Sequence, residues 1–191
     1  MLVRAGSLDR NSGIRSGRAY TGNRPVVAVI EINGMIVGSR SSGGLFGGGY
    51  AGSQTVMAQL RQVPANPNIK AVVLRMNSPG GTPAASQEIT GEIMRLKKTG
   101  VKVVTSMGDV AASGAYWIAS SSDRIVANPG TITGSIGVVM QTRNYRGLFD
   151  KLGIEGHTFK SGAYKDMGSP DRPVSEEEIK IFQEMVDDTY Q

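Results

Sequence analysis

An α/β fold with a mostly parallel β-sheet and crossover helices is predicted by three features of this 191-residue sequence. Short apolar, β-branched runs read as strands buried on both faces. Segments with helical periodicity and recognisable start signals lie between them. The two kinds of segment alternate along the chain, which is the pattern of strand–helix–strand crossovers. The length suits one domain with its own core.

Val26 to Ile32 (VVAVIEI) predicts a buried strand. Gly38 to Gly52 reads as a flexible loop carrying the apolar residues Leu45, Phe46 and Tyr50. A short helix is predicted over Thr55 to Gln62, ending near Pro64. Ile69 to Met76 is a second strand, running into the tight turn Asn77-Ser78-Pro79-Gly80-Gly81. Thr82 then caps a helix with Pro83 at its first position and a stripe of Ile89, Ile93 and Leu96, stopped at Gly100. Val101 to Ser106 is a third strand, followed by a turn over Met107 to Ala112 and a helix from near Ser113. Further strands are expected at Arg124 to Ala127, Ile136 to Gln141 and Glu155 to Phe159, and a helix at Tyr145 to Leu152. The last helix opens on the capping box Ser175 to Glu178 and carries Ile179, Phe182 and Val186.

Charge is unevenly spread. Residues 1–24 hold five arginines against Asp9, whereas the remainder has sixteen basic and fifteen acidic residues. Residues 1–24 therefore read as a disordered Arg/Gly/Ser-rich leader, and 25–191 as a nearly neutral globular domain with no nucleic-acid surface. There is no Cys, so thiolate catalysis, Cys-ligated metals and disulfides are excluded. No stretch has the ~18 apolar residues of a membrane span.

Some motifs carry little. Gly47-x-Gly49-x-x-Gly52 matches a dinucleotide-binding string, but no strand leads into it and no acid follows at the ribose position, so no cofactor is expected. His157, the one histidine, reads as structural, and no residues show metal-ligand spacing.

The tetrapeptide Ser-Gly-Ala-Tyr occurs at 113–116 and at 161–164. Ser113 follows a strand and a sharp turn among small residues, where a substrate backbone could approach. The Gly114 N–H could face a developing oxyanion, and the Gly80 N–H could be a second donor. Equally, Ser113 could be an ordinary helix cap and 77–81 an ordinary turn. With no Cys and an unpromising His157, a lysine is the natural base for a serine nucleophile, and Lys165 has weakly polar neighbours. A lysine base must be neutral, which burial can favour. Lys165 could also be a solvated surface group, and Ser161 reads as a turn residue.

Four ordered motifs resemble the signal peptide peptidase A family of serine proteases, peptidase family S49. They are NSPGG, GDVAASGAYWIAS, GTITGSIGV and KSGAYKDMGSP. The match runs from about Val26 to Tyr190. The resemblance implies the Clp protease/crotonase-like fold and a Ser/Lys dyad. It implies Ser113 as nucleophile, Lys165 as general base, Ser135 as the hydroxyl orienting the lysine, and Gly80 and Gly114 as oxyanion-hole amides, with no cofactor or metal. It further implies a serine endopeptidase acting on apolar signal-peptide remnants or unfolded peptides, on the extracytoplasmic side of a bacterial membrane. A ring-like homo-oligomer with sites shared between subunits is implied too. Leu45, Phe46 and Tyr50 are placed along or over the substrate groove. The family's membrane anchor and C-terminal closing segment are not found within residues 1–191, so the domain is read as lacking its C-terminal end. The alternatives are a related phage head-maturation or membrane-protein-processing protease, and a non-catalytic crotonase-like scaffold or acyl-CoA binder.

Overall fold

Among the described residues, every strand pairing that builds the sheets is parallel. The computed structural model describes residues 2–4, 24–42 and 49–191. It divides into two compact units, residues 1–136 and 137–191, each described by itself below.

In the first unit the chain runs β1 (Leu2–Arg4), β2 (Val26–Asn33), β3 (Met35–Val37), β4 (Tyr50–Gly52), α1 (Ser53–Gln62), β5 (Ile69–Ser78), α2 (Pro83–Lys97), β6 (Lys102–Ala112), α3 (Gly114–Ser120), β7 (Arg124–Val126) and β8 (Ile132–Gly134). The main sheet has the order β1-β2-β5-β6-β7, and β8 pairs with the far end of β6. β3 and β4 form a separate two-stranded sheet. The expected α/β architecture with crossover helices is thus the one observed. Parallel neighbours need a crossover to return the chain to the same edge, and α1 and α2 supply those returns.

The core follows from the apolar runs. Ile30, Ile32, Leu74, Met76, Met107 and Ile118 are fully or almost fully buried, as are Ile89, Ile93 and Leu96 of α2. Each such side chain contributes roughly 1.5–3 kcal/mol relative to exposure. Pro83 opens α2 as predicted, but the Thr82 side chain makes no capping bond. Its backbone is used instead: the Thr82 N–H donates to Ile36 O, and Thr82 O accepts from Ser86.

The largest departure is in β6. The turn expected over Met107 to Ala112 is a continuation of the strand with a bulge. From the pair Met76↔Met107 to the pair Ser78↔Ala111, β6 advances four residues while β5 advances two. Asn77 fills the gap, its Oδ1 accepting the Val110 N–H at 3.0 Å. Gly108 lies so near Asn77 that a Cβ there would be 3.1 Å from Asn77 Cγ. Gly108-Asp109 has the composition of a turn, but here it forms a bulge that a long-range side chain bridges, so the strand continues beyond it.

The segment read as a leader contains β1, which pairs with Val27–Val29. Its residues 5–23 lie outside the described residues. So do Leu45 and Phe46, while Tyr50 is an exposed residue of β4, inside the stretch expected to be loop.

The second unit contains α4 (Arg146–Leu152) and α5 (Glu176–Tyr190) joined by turns. The strands expected at 136–141 and 155–159 do not form. The first is apolar and the second has only Phe159, but neither has a neighbouring strand among the described residues, and a strand without a ladder is not stable. His157 is consequently an exposed loop residue. The capping box of α5 is present in full. Of the expected stripe, Ile179 is exposed, while Phe182 and Val186 are half-buried.

Candidate active site

β5 and β6 end side by side, and the chain reverses sharply after each. Ser113 follows the last residue of β6 with φ 55° and ψ −126°, a region that costs a non-glycine residue of order 1–3 kcal/mol. Hydrogen bonds hold it there. Its N–H donates to Gly134 O at 2.8 Å, and its carbonyl accepts the Trp117 N–H at 3.0 Å. Although Ser113 sits at the cap position of α3, its hydroxyl makes no capping bond. The ordinary-cap reading therefore loses its basis: the backbone is strained, and the hydroxyl is not used to satisfy the helix.

Gly80 packs directly on this turn. It has φ 99°, and a Cβ placed on it would lie 2.8 Å from Ala112 O, Gly114 N and Ser113 Cβ. Only glycine fits, for both conformational and steric reasons. The Gly80 N–H donates to the buried Ser78 hydroxyl at 3.1 Å. Gly114, on the other side of Ser113, is the first residue of α3, where an N–H has no intrahelical acceptor. Its Cα faces Ser86, whose Oγ would be 2.3 Å from an added Cβ. Ser135 follows Gly134, the residue that accepts the Ser113 N–H. It is exposed, with φ 52°. The structure thus brings Ser113, Gly80, Gly114 and Ser135 to one edge of the sheet.

Lys165 belongs to the second unit. It is exposed, not buried as a neutral base would favour, and sits in consecutive tight turns. Its N–H donates to Gly162 O, the Met167 N–H to Tyr164 O, and the Ser169 N–H to Asp166 O. Ser161 is an exposed residue at the start of these turns.

Beside Lys165 is an ion-pair network that the sequence reading missed. Arg172 grips Asp166 through Nε at 3.0 Å and Nη2 at 2.9 Å, and its other face meets both carboxylate oxygens of Glu178. Lys160 Nζ reaches Asp166 Oδ1 at 2.7 Å and Ala163 O at 3.0 Å. The Arg172 guanidinium, and then Lys160, hold the Asp166 carboxyl well below the usual carboxylate range. Arg172 lowers Glu178 to about 2, helped by the Ser175 N–H. Glu178 and then Asp166 raise Arg172 above its ordinary value. A signal was present in the sequence: Asp166 and Glu178 lie six residues either side of Arg172.

Glu178 loses its proton more readily folded than unfolded, where its value is near 4.5. Its stabilising contribution is therefore complete above about pH 4.5 and is lost as the pH falls toward 2. Amide exchange at 175–179, followed across that range, is expected to accelerate on acidification. In Glu178→Gln the acceleration is expected to be smaller.

No helix among the described residues is long and apolar enough to cross a membrane. Compared with known proteins, residues 95–191 match the family described as peptidase family S49. A protein of Enterococcus faecium named as a signal peptide peptidase SppA is 41% identical over 168 residues, covering 88% of this chain and 48% of that protein. "Serine protease SPPA, chloroplastic" of Arabidopsis thaliana is 37% identical, over 90% of this chain and 25% of its own length. Among solved structures, a membrane-bound stomatin-specific protease in complex with a substrate peptide is similar at 22% identity and TM-score 0.48, covering 63% of this chain and 49% of that one. The chain spans at most about half the length of these relatives.

Proposed function

This chain belongs to peptidase family S49, and from that membership we propose that it is a serine endopeptidase in which Ser113 is the nucleophile and Lys165 the general base. The observation that carries the reading is Ser113 itself: a strained residue, an uncommitted cap hydroxyl, and glycines packed on both sides.

The reaction is acyl transfer. Lys165, as the free amine, takes the Ser113 Oγ proton while Oγ bonds to the peptide carbonyl carbon. The electron pair moved onto the carbonyl oxygen is met by the N–H groups of Gly114 and Gly80. For the second of these, the bond to Ser78 Oγ has to be shared or exchanged for one to the substrate. The C–N bond then breaks, and the lysine ammonium gives its proton to the leaving amine. The same lysine then deprotonates a water that bonds to the ester carbonyl carbon, the C–Oγ bond breaks, and the lysine returns the proton to Ser113 Oγ as the acid leaves. Ser135 accepts or donates a hydrogen bond that keeps the lysine aimed. The proposed substrates are apolar segments such as signal-peptide remnants, and the proposed place of action is a bacterial membrane. Assembly into a ring-like homo-oligomer would exclude water from Lys165, which is exposed in the isolated chain.

A serine-directed fluorophosphonate tests the reading. Digestion with trypsin after labelling is expected to show one adduct, on the peptide 103–124 that contains Ser113. Labelling of Ser135 or Ser161 instead, or no labelling in an active preparation, would refute it.

A further inference from the structure

We infer that Arg172, with Asp166 and Lys160, positions Lys165 for catalysis by clamping the turn that carries it to the start of α5. The inference rests on the reading of Lys165 as the base.

Lys165 has no packing of its own to hold it, being exposed in a loop. Its neighbours on both sides, however, are fixed. Two residues before it, Ala163 O accepts from Lys160 Nζ at 3.0 Å. One residue after it, Asp166 is held at three points: both carboxylate oxygens and the backbone oxygen accept from Arg172, the last at 3.3 Å. Arg172 is anchored in turn by Pro173 O and by Glu178. Glu178 is almost fully buried and also closes the capping box with the Ser175 N–H. The chain of contacts therefore runs from the helix cap, through one guanidinium, to the residue next to Lys165.

The planar five-donor guanidinium suits this role because it serves two carboxylates and two carbonyls at once, which an ammonium cannot. Asp166 is meanwhile kept occupied by two cations, Lys160 and Arg172, so it is not a free partner for the adjacent lysine. The clamp spends the conformational freedom of the Lys165 backbone before substrate arrives, leaving only side-chain torsions to be set in the reaction.

The test measures kcat and KM of the full chain on a peptide ester, together with the rate of Ser113 acylation. Arg172→Met is expected to lower kcat and the acylation rate about tenfold or more while changing KM less than about twofold. Arg172→Lys is expected to recover only part of the loss. The decisive comparison is Lys165→Ala against Lys165→Ala/Arg172→Met. A residue that acts through Lys165 adds no further loss to acylation once Lys165 is gone, whereas a residue needed only for folding does. If Arg172→Met does not fold, Asp166→Asn and Lys160→Met carry the same measurement. A natively folded clamp variant with unchanged kcat, or a double variant slower than Lys165→Ala, overturns the inference. Full activity in Lys165→Ala alone overturns the underlying reading of the base instead.

Discussion

Ser113→Ala is expected to lower kcat on a peptide ester by about a thousandfold or more, and Lys165→Ala by a comparable factor. The two losses should not add, because proton removal and attack are one step. Substrate binding in both variants should persist, so that KM or inhibitor affinity moves far less than kcat. Either variant with full activity would remove the dyad. Mixing the two inactive proteins gives a second readout. Partial recovery on mixing means that the serine and lysine of a working site come from different copies of the chain. No recovery places both in one copy.

The next largest effect is expected at Gly80. Gly80→Ala adds a methyl group that has to displace Ala112 O, Gly114 N or the Ser113 Cβ, all 2.8 Å from its ideal position. The substitution also loses the φ of 99° that glycine tolerates. On the proposed mechanism, moving Gly114 N moves an oxyanion donor, and moving Ser113 moves the attacking oxygen. A drop in kcat of about a hundredfold is expected, with a stability loss of about 1–3 kcal/mol. Gly91→Ala is the matched control. It lies in α2 with nothing within 4 Å of an added Cβ, and should raise stability by roughly 0.5–1 kcal/mol without affecting kcat. Wild-type kcat in Gly80→Ala would take this glycine out of the site.

Much of the first unit was legible locally. The runs at Val26 and Ile69 had enough β-branched residues to be read as buried strands, and the stripe of Ile89, Ile93 and Leu96 marked the inner face of α2. What failed was whatever depended on distant residues. Gly108-Asp109 looks like a turn until Asn77, more than thirty residues earlier, is found bonded to Val110. Ile136–Gln141 and Glu155–Phe159, expected as strands, have no strand partners among the described residues. Thr82 does stand at the cap position of α2, but its side chain makes no capping bond. The candidate serine was reachable from its small neighbours and the strand before it. Its positive φ was not, since it arises from the Gly134 and Trp117 bonds. The clamp around Asp166 depends on three charged side chains converging, and single-residue pattern reading treats each as solvent-facing.

The bond from the Ser113 N–H to Gly134 O has a consequence for synthesis of the chain. A parallel ladder cannot begin as a hairpin, so each strand waits for its crossover to leave the ribosome before it can pair. β2 remains unpaired on its β5 side until residue 78 has emerged, and β6 has no complete far end until residue 134 has. The turn at Ser113 therefore lacks this bond until Gly134 has been made. A nascent chain carries Ser113 without its N–H partner for the interval in which the residues up to Gly134 are added. The strand ends that shape the turn at Ser113 are therefore completed only after both neighbouring strands have been made.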